Sequence, residues 1–488
     1  MKRSPVFRRN AVGGLVAGAC GLLPTSVAQA QGNHADHGPP GSAPTAPTPA
    51  SGPAMEDMPA MQMTERPGTP IPAGMDMQMP GMQMTGPLGI PMAREGSGTS
   101  WQPDSSPMAA IHAQLGDWQL MVHGVVFVGF DAQASARGDR RFTSINWLMA
   151  MARHPLGPGE LSARVMMSAE PLTIGGFGYP ILLQTGETWN GQSLHDRQHP
   201  HDLFMETALL YLTPIGGGLG LQLYAAPAGE PALGPVAFPH RISARTNPFA
   251  PIGHHWQDST HISYGVATVG LFGRSWKMEG SWFNGREPDE NRYGFDLRVP
   301  DSFSGRLIVN PTDDLSMQAS YGYLKSPEAS EPEESLQRAS ASITHNARVF
   351  GEGNWASTAA LGVNVQRDRP VTTMALVETN LDATPHHTVF ARIEGGTKTG
   401  ADLVLPFDRA QARFAMAAFS LGYAFRFPPV VHIVPALGAV GDLNVVGAEL
   451  GRVYETRTPA GGMVFLQLRP EDMSMHAGHG ASMPGMQM

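Results

Sequence analysis

Between residues 108 and 470, apolar and polar residues alternate in short runs separated by Gly, Pro, Asn and Asp. Leu161, Ala163, Val165, Met167 and Ala169 share one face, with Glu160, Ser162, Arg164 and Ser168 on the other. Leu315, Met317, Ala319, Tyr321 and Tyr323 alternate with Ser316, Gln318 and Ser320 in the same way. So do Trp276, Met278 and Trp282 with Lys277, Glu279 and Ser281, and Val389, Ala391 and Ile393 with Thr388, Arg392 and Glu394. Successive side chains of an extended strand point to opposite faces, so these runs predict strands with one apolar face. Helical spacing fits them worse.

The connections sort by length. Counted from Asp117, short turns are expected near 153–158, 214–218, 272–274, 310–314, 346–353, 381–386 and 427–430. Mostly longer connections fall between them, at 131–140, 171–200, 227–257, 285–302, 325–335, 366–370, 396–410 and 439–455. Strict alternation of the two kinds implies about sixteen strands, within a range of about 12–18, and an all-β fold: an outer-membrane antiparallel β-barrel with short periplasmic turns and long outer loops. Trp118, Phe130, Trp276, Trp282, Tyr321 and Tyr323 at strand ends favour a membrane barrel over a secreted soluble β-protein. The last alternating run, Val464-Phe465-Leu466-Gln467-Leu468, is followed by a tail, so assembly must read an internal signal.

The ends of the chain differ in composition. Residues 1–30 read as an export signal: Lys2, Arg3, Arg8 and Arg9 are basic, an apolar stretch follows, and Ala28-Gln29-Ala30 offers a cleavage site. The pair Arg8-Arg9 leaves a twin-arginine route open. Cleavage after Ala30 removes Cys20, the one cysteine, so thiolate metal sites and disulfides are excluded from the mature chain. No later stretch approaches the ~18 apolar residues of a spanning helix. Residues 31–107 hold 15 of the 43 prolines and a single aromatic residue, Trp101, and read as a disordered tail before a barrel over 108–470. Residues 471–488 form a second tail. Of 488 residues only 15% are charged and the net charge is −9, which argues against a nucleic-acid partner.

Methionine, 28 in all, is concentrated in these tails. The N-terminal one carries Met55, Met58, Met61 and Met63, then Met75, Met77, Met79, Met82 and Met84. The C-terminal one carries Met473, Met475, Met483, Met486 and Met488. The hexapeptide Met79-Pro80-Gly81-Met82-Gln83-Met84 recurs letter for letter as the last six residues, and the spacing of His34 and His37 recurs in His476 and His479. Thioethers are soft, neutral ligands suited to Cu(I), and equally to silver. Methionine usually fills cores, but a proline-rich tail has no core to fill. Low-complexity drift under oxidant scavenging is the competing account.

These features resemble the copper-resistance protein B family of outer-membrane proteins, with 55–63 and 75–84 as the matching segments. The resemblance implies a Met-rich disordered region joined to a barrel and a role in copper tolerance. The predicted barrel is larger than in that family, the Met/His motif recurs at the C-terminus, and the barrel segments look more like uncharacterised outer-membrane proteins.

Two histidine clusters lie in the barrel region. The first has His195, Asp196, His199, His201 and Asp202; the second has His254, His255, Asp258 and His261. His199 and His201 share a face of an extended chain. Both sets fall where long loops join the following strands, so they are expected at one rim. Imidazole with carboxylate suits Zn(II) or Cu(II). An equally open reading is a polar network bracing an inward-folded loop, with Arg197 paired to Asp202 or Asp258. No Gly-x-Ser-x-Gly elbow, phosphate loop or His-Glu-x-x-His helix occurs, so no catalytic residue is assigned and an enzyme is not expected.

The sequence thus predicts a barrel of the bacterial outer membrane, in contact with lipid, with periplasmic tails that capture Cu(I) for binding, tolerance or export. Metal ions and periplasmic copper-handling proteins are the expected partners. A general porin or substrate channel with non-specific tails is the alternative from another class.

Overall fold

The computed structural model describes residues 84–329 and 332–473. The chain divides into two compact units, Met1–Ala73 and Gly74–Met488, and every described residue belongs to the second. The export signal and most of the Met/His motifs lie outside the described residues.

The described strands are β1 (Ile111–Leu115), β2 (Trp118–Ala134), β3 (Arg140–Leu156), β4 (Gly159–Met167), β5 (Tyr179–Trp189), β6 (Gln192–Gln198), β7 (Phe204–Gly216), β8 (Leu219–Gly229), β9 (Ser263–Phe272) and β10 (Trp276–Asn284). They continue with β11 (Ser302–Thr312), β12 (Leu315–Lys325), β13 (Ser335–Val349), β14 (Gly353–Gln366), β15 (Thr372–Asp382), β16 (His387–Thr399), β17 (Arg413–Arg426), β18 (Ile433–Val446) and β19 (Ala460–Pro470). All but β1, β5 and β6 form one antiparallel ladder that runs from β2 through β3 and β4 to β7, then consecutively to β19. Strand β19 pairs back onto β2, with Val464 opposite Phe130, and closes a sixteen-strand barrel. Both β2 and β19 meet the end that carries the short turns.

The wall follows the period of two. On β10, Trp276, Met278 and Trp282 face outward and are exposed, while Lys277, Glu279 and Ser281 are buried inward. Phe303 and Leu307 on β11 and Val377 on β15 continue the exposed apolar face. A soluble protein would leave no such belt in water; lipid is the solvent that suits it. The molecule is an outer-membrane antiparallel β-barrel.

Inward glycines make room for rings on the neighbouring strand. Phe390 lies opposite Gly422, Phe465 opposite Gly438, and Phe272 opposite Gly220. A side chain at Gly422 would place its Cβ 2.1 Å from the Phe390 ring. Gly422→Val is therefore expected to cost about 1–3 kcal/mol through forced repacking. Gly441→Ala, where the nearest atom would be 4.0 Å away, serves as control. Urea unfolding in detergent micelles measures both.

The lumen is filled. Residues 84–107, expected in the disordered tail, are folded inside the barrel: Met92, Ala93, Arg94 and Trp101 are buried. Arg94 pairs with Asp104 at 2.5 Å and stacks over Trp101. Inward side chains bind the segment's backbone: Arg164 donates to the Gly98 carbonyl at 2.6 Å, Asn310 to that of Gln102 at 2.9 Å, and Asn346 to that of Ser105 at 2.7 Å. Composition tests whether a segment can bury its own apolar surface. This one needs no core of its own, because the barrel wall satisfies its carbonyls. At the other end Met473, expected in the C-terminal tail, donates its N–H to the Met108 carbonyl at 2.9 Å.

Two of the long connections also turn inward. The hairpin β5–β6 and residues 230–262 pack Tyr179, Leu182, Leu183, Phe249, Ile252 and Trp256 against the inward Phe127, Ile145, Phe390 and Phe465. The core of the molecule is the lumen.

Candidate functional site

Where these two connections meet, five histidine rings come together. His199 and His201 follow β6; His254 and His255 lie on the short helix His254–Gln257, and His261 ends the 3-10 turn Ser259–His261. Ring centroids are 5.0 Å apart for His254–His255, 5.6 Å for His199–His255, 5.9 Å for His199–His254, and 5.3 Å for His201–His261. One ring nitrogen from each of His199, His254 and His255 lies within 4.8 Å of the others. All five residues are buried. Gly186, at φ +117, lies under His255, where a Cβ would strike the ring at 2.2 Å.

Each ring is held through Nδ1. Glu170 binds His201 at 2.9 Å, Asp258 binds His254 at 2.8 Å, and Glu287 binds His255 at 2.9 Å. Nδ1 of His199 meets the Pro200 carbonyl at 3.2 Å, with Glu187 3.1 Å away, and that of His261 meets the Asp258 carbonyl at 2.8 Å. These acceptors place the proton on Nδ1 and leave the lone pair on Nε2. The Nε2 atoms of all five rings are buried without a hydrogen-bond partner. Buried polar atoms are rarely left so, and carboxylate-oriented imidazoles with free Nε2 are what a transition metal requires.

Burial holds His199 and His261 well below the ordinary imidazole range and brings His254 down to about 4, against the opposing pull of Asp258. Burial raises Asp258, but the His254 hydrogen bond and the Arg241 charge outweigh it and keep it ionised. A depressed imidazole pKa means the proton competes with a metal only at lower pH. Three free imidazoles of pKa ~6.5 would lose about 1000-fold in combined affinity between pH 7.5 and 5.5. Because burial depresses His199 and His254, Zn(II) affinity is expected to fall far less than about 1000-fold over that window, as read by chelator competition.

The other candidates from the sequence lie elsewhere or serve differently. His195 pairs with Asp196 at 2.9 Å, and Asp196 also takes Arg137, the Leu183 N–H and the Tyr454 hydroxyl, outside the histidine group. Arg197 pairs with Asp139 and not with Asp202 or Asp258. Asp202 instead takes Arg292 at 3.1 Å and the Tyr264 hydroxyl, and Asp258 takes Arg241 at 3.1 Å. Bracing is thus carried by the aspartates with arginines from other segments, while the imidazoles keep Nε2 free. Glu170, Glu187 and Glu287 are not among the residues the sequence points to. Glu170 and Glu187 come from the connection between β4 and β7 and Glu287 from that between β10 and β11, and no local motif marks them. Of the candidate methionine ligands, Met84 packs against buried methionines in the lumen and Met473 is tied to Met108; the other candidates fall outside the described residues.

Fold and site together define an outer-membrane barrel with a filled lumen and a buried histidine group. No protein-family model matches the chain, and no curated protein matches it, so the resemblance to the copper-resistance protein B family gains no support there. Among solved structures the chain is similar to OmpF of Salmonella typhi in complex with daunomycin, at 8% identity and a TM-score of 0.44, covering 74% of this chain and 100% of that one. It is also similar to the anion-selective porin from Comamonas acidovorans, at 10% identity and 0.43, covering 72% and 99%. OmpT, an outer membrane protein of Vibrio cholerae, gives 8% identity and 0.43, covering 73% and 99%.

Proposed function

We propose that this outer-membrane barrel is a channel-type protein whose lumen carries a transition-metal centre. His199, His254 and His255 are the ligands, and Glu187, Asp258 and Glu287 orient them. The observation that carries this reading is the set of buried Nε2 atoms with no partner. Zn(II) and Cu(II) are the ions that suit neutral imidazoles. The inner segment 84–107 and residues 230–262 occupy the lumen, so permeation requires them to move, and a metal that ties 199 to 254 and 255 would hold them in place. Capture of Cu(I) by the Met-rich tails belongs to the same metal-handling role; the tails would sit in the periplasm, since β2 starts and β19 ends at the short-turn end.

A general channel whose loops are merely braced is the second reading, favoured by the sixteen-strand wall itself. Titration of the full chain in detergent with Zn(II), which thioethers bind poorly, separates the two. The metal-centre reading expects about one equivalent that survives gel filtration, and a single-channel conductance in planar bilayers that falls when Zn(II) is added. No retained Zn(II) and a conductance indifferent to it would leave the braced channel.

A further inference from the structure

A second group of chemistry-bearing side chains sits in the lumen, apart from the five histidines. Met92 from the inner segment, Met121 on β2, Met149 and Met151 on β3, Met166 on β4 and Met205 on β7 are all buried in one cluster. Met84 and Met108 pack against it. Met121, Met149, Met151 and Met166 are inward positions of a wall that elsewhere places Asp131, Arg153, Arg164 and Glu206 toward the lumen. Methionine is an ordinary core filler, but here it does not fill: Met92, Met108, Met121, Met149 and Met151 line a cavity of about 130 Å³.

Two imidazoles face the same space. His123 and His240 line the cavity with ring centroids 5.5 Å apart. The His123 Nε2 is buried and has no hydrogen-bond partner. His240 places its Nε2 3.2 Å from the Met166 sulfur and stacks on Trp147 with centroids 4.5 Å apart. Each of the four arginines that line the cavity has a carboxylate partner: Arg153 and Arg164 share Glu95, the latter at 3.0 Å, with Arg153 also 3.3 Å from Glu160, and Arg245 and Arg469 share Asp472 at 2.9 and 3.0 Å, with Asp382 2.5 Å from Arg245. The cavity therefore offers neutral, polarisable donors in low dielectric, with every guanidinium on its rim held by a carboxylate.

We infer that this methionine–histidine cavity is a binding site for a soft monovalent d10 cation, Cu(I) or Ag(I). Thioether sulfur with an imidazole nitrogen is the donor set such an ion prefers, and one charge is cheaper to bury among neutral ligands than two. The site draws its donors from β2, β3, the inner segment and the 230–262 connection, so a bound ion ties the plug to the wall. It does not depend on the histidine centre, whose donors suit divalent ions.

The test uses the full chain in micelles with 13C-labelled methionine methyl groups, assigned by single Met→Leu substitutions. Addition of Ag(I) at one to two equivalents is expected to shift the Met121, Met149 and Met151 methyl signals, and with them those of Met92 and Met166 in the same cluster. The same shifts should persist in His254→Ala, which leaves this cavity untouched. A Met121→Leu/Met149→Leu/Met151→Leu variant, volume-conserving and monitored by heat-modifiable migration, should lose the Met92 and Met166 shifts. If only methyl groups outside 84–473 respond, or if the three lumenal signals stay fixed at saturating Ag(I), the cluster is packing and the site does not exist. If the triple variant does not fold, the wild-type shifts alone decide.

Discussion

Replacing His199 and His254 together by Ala is expected to remove the Zn(II) equivalent from the full chain, weakening binding by at least about 100-fold. Changing even a residue that only orients a ligand costs about 10–100-fold in affinity, and this pair removes two of three converging imidazoles. Glu287→Gln, which disturbs only the acceptor of His255 Nδ1, should fall within that 10–100-fold window. His195→Ala is the control, because its ring pairs with Asp196 outside the group. Heat-modifiable migration should be unchanged in all three, since the ladder of barrel hydrogen bonds does not involve these side chains. Unchanged Zn(II) affinity in the double variant, with a loosened loop, would end the metal-centre reading and leave bracing.

The second large effect is expected at Arg241. Its guanidinium is 1% exposed and pairs with Glu378 at 2.5 Å and with Asp258 at 3.1 Å, while Arg392 reaches the other Glu378 oxygen at 2.8 Å. Removing one partner from a buried ionic network leaves carboxylates without their full compensation and costs about 3–5 kcal/mol. Glu378 sits on the wall and Arg241 on the inward connection, so Arg241→Met should release the connection and spare the barrel. Protease cleavage between 230 and 262, together with a higher bilayer conductance, would report that release. Adding Glu378→Gln should restore part of the loss, because the stranded charge is then gone. Resistance to protease equal to the parent's would show that other contacts hold the loop.

Much of the wall was legible in the alternation of residue types. Trp276, Met278 and Trp282 face outward against Lys277, Glu279 and Ser281 as the period of two requires, and the turn expected near 310–314 lies between Thr312 and Leu315. Less was legible inside. Residues 84–107 have the composition of a disordered segment with no core of its own, yet Asn310, Asn346 and Arg164 hold their carbonyls. The apolar run Ile181-Leu182-Leu183 is too short to stand out within a long connection, although it is the part that packs into the lumen. The five histidines were visible as two clusters. Their carboxylate partners Glu170, Glu187 and Glu287 were not, because no spacing links them to the rings they hold.

Sequence by itself determined strand number, strand direction and the class of solvent on each face, because lipid and a polar lumen impose opposite demands on alternate residues and turns mark every reversal. The tertiary structure alone decided what occupies the lumen: which connection folds inward, which arginine meets which carboxylate, and which imidazoles keep a free nitrogen. Those outcomes depend on residues brought together from distant parts of the chain, where complementary charge and shape, rather than any local period, set the pairing.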